Sequence, residues 1–205
     1  MKRIFILLVA ALAVGTVEVQ AQSLDDLMKS ISSMFSSSES TTQAQPKEVY
    51  PALEELVGRF KYDALAIDYK GDSALASLAV TTLESQLPLI SEKLGLVAGR
   101  DYMDVASDGS MTIVCNGKQI PVYCTAYDPA TGTASIMMRL LDRSINLKAS
   151  VTKLDGRYRI VFDAQELLAI IAQHDPKFAE NTTLLMVKGV IDTYPGVRVG
   201  AFLRK

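Results

Sequence analysis

Four turn signals divide the middle of the chain into short segments, and their spacing constrains the fold more than any other feature. They are Asp108-Gly109, Asn116-Gly117, residues 128–132 (Asp-Pro-Ala-Thr-Gly) and Asp155-Gly156. Asn-Gly and Asp-Gly favour tight β-hairpins, and Pro and Gly suit the longer turn. Strands joined by such short connections are antiparallel neighbours. The sequence therefore predicts a β-meander.

The segments between these turns alternate apolar and polar residues. The apolar positions are Met103 and Val105; Met111, Ile113 and Cys115; Ile120, Val122 and Cys124; Ala134, Ile136 and Met138; Ile145, Leu147, Ala149 and Val151; Tyr158, Ile160 and Phe162. Successive side chains of a strand point to opposite faces, so these six strands share one apolar face. Residues 58–62 and 197–204 add a first and a last strand.

An open sheet of eight such strands would expose two unpaired edges, and closure into a barrel removes both. We therefore predict a mainly β fold with helical insertions, built as an eight-stranded antiparallel up-and-down barrel. A barrel of this size holds packed side chains or one small ligand.

Two stretches of helical periodicity interrupt the strands. Residues 73–94 carry an apolar stripe, with Asp72 as the expected cap and a kink or a split of the helix expected at Pro88. Residues 163–166 form a capping box for a helix that ends near His174, and residues 182–194 also favour a helix. We expect these helices at a mouth or flank of the barrel.

The N-terminal residues have the features of a secretory signal peptide. Lys2 and Arg3 precede an apolar run at residues 4–14, which is shorter than the ~20 residues of a membrane-spanning helix. We expect cleavage after Ala21 and export to the periplasm or the medium. No Cys precedes Cys115, so a lipid anchor on an N-terminal Cys is not expected.

A Ser-rich tail or linker at residues 22–48 is expected to lead into the barrel domain at residues 49–205. Apolar residues at helical spacing within residues 23–35 leave two interpretations open for the start of this tail. It is either a frayed end or a short amphipathic helix that docks on a partner or a membrane surface.

Five short motifs follow one another in the predicted barrel. They are residues 58–62 (GRFKY), 107–112 (SDGSMT), 127–133 (YDPATGT), 162–168 (FDAQELL) and 194–200 (YPGVRVG). In this order they resemble a lipocalin-like family of secreted proteins of unknown function from gut Gram-negative anaerobes. The resemblance implies a lipocalin-like (calycin-like) barrel and an exported protein, and it implies no activity or catalytic residue.

Lipocalins carry Gly-x-Trp on the first strand, with an Arg of the last strand stacked on the Trp. Gly58 matches the Gly of this pattern, and Phe60 stands in place of the Trp. The resemblance thus implies that Arg198 or Arg204 stacks on Phe60, although a cation binds Phe more weakly than Trp.

Residues suited to catalysis or metal binding are scarce. The chain has one His, His174, and a net charge of −2, which argues against nucleic acid as a partner. The acidic pairs Glu54/Glu55, Asp63/Asp68 and Asp101/Asp104 are expected on solvated faces. We therefore expect no enzymatic activity, no catalytic residue, no metal site and no cofactor.

The two cysteines lie on adjacent predicted strands. The Asn116-Gly117 turn pairs Cys115 with Lys118 and Cys124 with Gly109, which separates the cysteines by about 20 Å along the ladder. A disulfide requires Cα atoms within about 7 Å, so the pairing favours two buried free thiols over a disulfide.

The apolar inner face is the remaining candidate for a functional site, and two interpretations of it stay open. It lines a cavity for one small apolar ligand, or it is a solid core in an envelope-associated protein-interaction module. The candidate ligand-binding residues are Phe60, Tyr62, Met103, Met111, Ile113, Val122, Ile136, Met138, Tyr158 and Phe162. We expect a small apolar ligand as partner and no membrane span after signal cleavage, and the sequence does not identify a protein partner.

Overall fold

Eight strands form a closed antiparallel barrel in chain order. The structure is a computed structural model that describes residues 48–73, 76–77, 80–81, 84, 87–93, 95–140, 143–174, 191–192 and 195–205. The strands are β1 (Gly58–Tyr69), β2 (Tyr102–Val105), β3 (Ser110–Cys115), β4 (Lys118–Asp128), β5 (Thr133–Leu140), β6 (Arg143–Leu154), β7 (Arg157–Asp163) and β8 (Val197–Arg204). Each pairs with its chain neighbours, and β8 closes on β1, which confirms the predicted architecture.

The predicted hairpin turns set the strand register. Asn116 and Gly117 have φ values of 50° and 72°, and Asp155 and Gly156 have 51° and 73°. Positive φ at both central residues gives the turn whose twist matches that of the flanking strands. Cys115 pairs with Lys118 as expected.

Strand β1 is longer than the segment predicted from its alternation. The register of β1 against β8 shifts between Tyr62 and Ala64, which marks a bulge at Asp63. Beyond the bulge the inward side chains are Leu65 and Ile67, because the extra residue changes the phase of the alternation. The period-two pattern is therefore interrupted at Asp63.

Helical insertions cover the end of the barrel where β1 and β7 finish, which we call the helix end. Helix α1 (Leu87–Lys93) lies between β1 and β2, and helix α2 (Ala164–His174) follows β7. The N–H of Glu166 donates to Oδ1 of Asp163 at 2.9 Å, so α2 begins with the predicted cap. Ala164, Leu167 and Leu168 are buried, together with Val80 and Ile191, against inward residues of the strands.

The helical stretch at residues 73–94 has a different cap from the one expected. Oγ of Ser73 accepts the N–H of Ala76 at 3.2 Å, so Ser73 is the cap in place of Asp72. Pro88 is the second residue of α1, where its missing N–H costs no helical hydrogen bond. Most of the helix predicted at residues 182–194 lies outside the described residues, as do the predicted signal peptide and nearly all of the predicted Ser-rich tail.

Residues 48–56 cross the opposite end of the barrel, and we call this segment the strap. It contains a 3₁₀ turn at Leu53–Leu56. The N–H of Lys153 donates to the carbonyl of Val49 at 2.7 Å, and the hydroxyl of Tyr127 donates to the carbonyl of Pro51 at 2.7 Å. The strap therefore joins β6 and β4, and we call this end of the barrel the strap end. In the described part of the chain, no helix is both long and apolar enough to cross a membrane.

Candidate functional site: the barrel interior

All ten predicted interior residues lie inside the barrel, in two adjoining clusters. The methionine cluster contains Met103, Met111, Ile113, Val122, Ile136, Met138 and Phe162. The Phe60 cluster contains Phe60, Tyr62 and Tyr158, and Met103 also packs against it. The alternation of each strand is what brings these side chains together. Ligand binding by these ten residues stays a prediction.

Phe60 is the most enclosed aromatic of the interior, with 1% of its surface exposed. Its ring meets that of Tyr158 edge-on, with centroids 5.0 Å apart and planes at 81°. Edge-to-face pairs of this kind add stabilisation beyond the burial of area. Phe60 therefore ties β1 to β7 inside the barrel.

The cation over Phe60 is Lys205, and the expectation of Arg198 or Arg204 was wrong. Nζ of Lys205 lies 5.5 Å from the ring centroid. Arg198 and Arg204 alternate with the inward residues of β8 and so point outward, where they bind Asp68 and Asp63. Lys205 occupies an inward-facing position in the alternation of β8, whereas both arginines occupy outward-facing positions. The alternation therefore indicated Lys205 as the cation near Phe60.

Tyr62 carries one of the two hydroxyl groups among the ten residues. It forms a hydrogen bond of 2.7 Å with Oγ of Ser91 on α1. Burial raises the pKa of Tyr62, so the hydroxyl keeps its proton. Ser91 was missed from the sequence because its contact with β1 spans a long connection.

Leu56 is a further interior residue that the sequence did not indicate. It packs against both the methionine cluster and the Phe60 cluster. It precedes β1 in a 3₁₀ turn, where no alternation marks it as inward. The strap thus contributes an apolar side chain to the interior.

The acidic residues noted in the sequence have separate basic partners. Asp68 binds Arg159 at 2.9 Å and Arg198 at 2.7 Å, and Asp63 binds Arg157 and Arg204. Asp104 of β2 binds Arg59 of β1, and Glu55 of the strap binds Lys153. These side chains lie on the outer wall or at the strap end. No group of three or more potential metal ligands occurs among the described residues.

Asp101 is buried, in contrast to the solvated position expected for it. Its carboxylate accepts the N–H of Val97 at 2.8 Å and that of Asn116 at 3.1 Å. Asp101 therefore fastens the connection before β2 to the β3–β4 turn. These two hydrogen bonds from main-chain groups give Asp101 a structural role, and Nε of Arg100 also lies 3.5 Å from its Oδ1.

The two thiols are free and half-buried, where full burial was expected. Sγ of Cys124 donates to the carbonyl of Ala126 at 3.4 Å. A register shift between Cys124 and Ala126 marks a bulge in β4, which interrupts the ladder with β5 beside Cys124. Burial raises the pKa of both Cys115 and Cys124, which keeps them as thiols near neutral pH.

A groove of about 430 Å³ lies outside the barrel, between α2 and the start of β6. Its lining consists of Ser144, Ile145, Asn146, Glu166, Ala169, Ile170 and Gln173. None of the ten predicted interior residues lines it. The groove is therefore distinct from the candidate site.

The closed eight-stranded barrel with an apolar interior defines a lipocalin-like protein, a class whose fold is typical of ligand binding. The chain belongs to the family described as Lipocalin-like domain (DUF4923), which matches residues 36–205. No curated protein and no solved structure matches the chain.

Proposed function

We propose that the protein is an exported, non-enzymatic binding protein whose barrel takes up one small apolar ligand. The observation that carries this proposal is the inner face of the described strands. Between its two rims, this face consists of apolar, Tyr and Cys side chains. Such a surface favours a hydrocarbon or aromatic ligand.

The position of the charged groups supports binding without catalysis. Catalysis requires an acid, a base or an oxyanion donor that reaches the substrate. The ion pairs of Asp63 and Asp68 lie on the outer wall, away from the interior. In the part of the chain that the structure describes, every buried side-chain nitrogen or oxygen has a hydrogen-bond partner. The interior is therefore suited to apolar contacts.

Three methionines make the interior adaptable. Met103, Met111 and Met138 all belong to the methionine cluster. Unbranched thioether side chains change rotamer at low cost and so admit ligands of different shapes. Met137 points outward on β5, opposite Tyr123, and provides a matched control.

Mass spectrometry on protein purified from its own host tests the proposal. Native spectra should show one bound small molecule that organic extraction releases. Met111→Trp fills the interior and should abolish this adduct, whereas Met137→Trp should retain it. A wild-type protein without a stoichiometric adduct would refute ligand binding. The intact mass also tests export, which requires the loss of residues 1–21.

A second candidate function is an envelope-associated protein-interaction module with a filled barrel. It is favoured by three apolar side chains on the strap that remain exposed: Val49 at 53%, Tyr50 at 38% and Leu53 at 55%. Replacing all three with Ser would abolish capture of a protein partner and leave the small-molecule adduct unchanged. The two functions are therefore separable by experiment.

A further inference from the structure

Two lysines stand at the strap end on the rows of side chains that face the interior. Lys153 continues the inward row of β6 after Val151, and Lys205 continues that of β8 after Leu203. Nζ of Lys153 lies 5.5 Å from the ring centroid of Tyr158, and Nζ of Lys205 lies 5.5 Å from that of Phe60. Two positive charges therefore border the apolar interior at this end.

Glu55 of the strap supplies the negative charge that faces these lysines. Its Oε2 accepts a hydrogen bond of 2.5 Å from Nζ of Lys153, and its carbonyl accepts one of 3.1 Å from Nζ of Lys205. A carboxylate of this chain thus occupies the position that an acidic group of a ligand would take.

The strap is held by several polar contacts and by two apolar side chains. Besides Glu55, it is fastened by the ion pair of Glu48 with Arg159 and by the hydrogen bonds of Val49 and Pro51 already described. Its apolar contacts are Leu56, which packs against both interior clusters, and Pro51, whose side chain is fully buried. The Glu55–Lys153 pair is exposed on both sides and therefore weak, so the strap can separate from Lys153 at low cost.

The helix end is closed by a different kind of contact. Ala164, Leu167 and Leu168 of α2 have at most 1% of their surface exposed, and they pack among inward residues of β1, β6 and β8. Opening this end would expose several buried apolar side chains together. The strap end is therefore the easier route into the barrel.

We propose that the strap end is the mouth of the binding site and that the ligand is an apolar molecule with one acidic head group. The tail lies between Phe60 and the methionine cluster, and the head group displaces Glu55 from Lys153 and Lys205. This inference rests on the proposed function, because it specifies the ligand class and the entry route of the same interior.

Binding of a matched pair of probes tests the charge requirement. Dansyl-undecanoic acid and its methyl ester share one apolar body and differ in the carboxylate. Glu55→Gln should tighten binding of the acid by about two- to five-fold, and Lys153→Met should weaken it by a similar factor. Both variants should leave ester binding unchanged. Arg59→Gln, which breaks an exposed ion pair on the β1–β2 wall, is the control and should change neither affinity.

Hydrogen exchange of two amides on β6 tests displacement of the strap. The N–H of Lys153 is held by the strap through Val49, whereas that of Val151 is held by the barrel through Gly132. Saturation with dansyl-undecanoic acid should accelerate exchange at Lys153 and leave Val151 protected. A loss of protection confined to the Lys153 amide would show that the ligand displaces the strap.

Failure of the inference is distinguishable from failure of the proposed function. Equal binding of acid and ester, or a Lys153 amide that stays protected in the complex, would overturn the acidic ligand and the strap-end mouth while apolar binding stands. If neither probe binds the wild-type protein, the proposed function fails and the inference fails with it.

Discussion

The carboxylate of Asp68 binds the guanidinium of Arg198 through two hydrogen bonds of 2.8 and 2.7 Å. The pair crosses the seam at which β1 and β8 close the barrel, and each side chain is only 15% exposed. Arg159 of β7 binds the same carboxylate at 2.9 Å. One acidic side chain therefore joins three strands on the outer wall.

Removal of this carboxylate should destabilise the barrel. Asp68→Ala leaves the positive charges of Arg198 and Arg159 close together without the negative charge that offsets their repulsion. We expect the free energy of unfolding to fall by roughly 2–4 kcal/mol, somewhat below the value for a fully buried pair. Asp104→Ala breaks the more exposed pair with Arg59 and should cost much less. Urea unfolding measures the free energy of unfolding of both variants. Equal losses would show that burial at the seam adds nothing.

Most of the fold was predictable because local residues determine it. Asn116-Gly117 and Asp155-Gly156 adopt the positive φ values of tight hairpin turns, and each turn sets the register of its two strands. The period-two alternation then assigns each side chain to the interior or the surface. The bulge at Asp63 interrupts that alternation, so the second half of β1 was missed.

Contacts between distant parts of the chain account for what the sequence did not reveal at the site. The alternation placed all ten interior residues, but Leu56 and Ser91 lie outside the strands and enter the site through tertiary packing. The pairing of Glu55 with Lys153 joins residues far apart in the chain, and no local pattern indicates it.

Acidification should weaken the attachment of the strap, because protonation of Glu55 removes its ion pair with Lys153. The hydrogen bond from Lys153 lowers the pKa of Glu55 below its ordinary value of 4.5, and the charge of Lys205 acts in the same direction. A lowered pKa in the closed state stabilises closure above pH 4.5, and this stabilisation is lost as the pH falls through the lowered pKa. Exchange at the Lys153 amide, referred to Val151, should therefore accelerate below pH 4.5.

Glu55→Gln is the control for this pH dependence, because the amide does not titrate. The variant should exchange faster than wild type at neutral pH and show a weaker acceleration in acid. An unchanged acid response in Glu55→Gln would assign the effect to another carboxylate and contradict the role of Glu55.

The two thiols should react slowly in the native protein. Burial raises the pKa of Cys115 and Cys124 above the ordinary value of 9.0, and the thiolate is the reactive form. Iodoacetamide should add two labels after denaturation without reductant, as counted by intact mass. The Cys124→Ser variant should then take one label. No label on denatured wild type would instead reveal a disulfide.

Neighbouring substitutions in β1 test the barrel register. Phe60 is buried against Tyr158, so Phe60→Ala should lower the free energy of unfolding by about 3–5 kcal/mol. Lys61 points outward and is exposed, and Lys61→Ala should cost less than about 0.5 kcal/mol. A shift of one residue would exchange the two results, because alternate side chains face opposite sides of the wall. Urea unfolding of both variants decides the matter, and equal small losses would contradict closure of the barrel through β1.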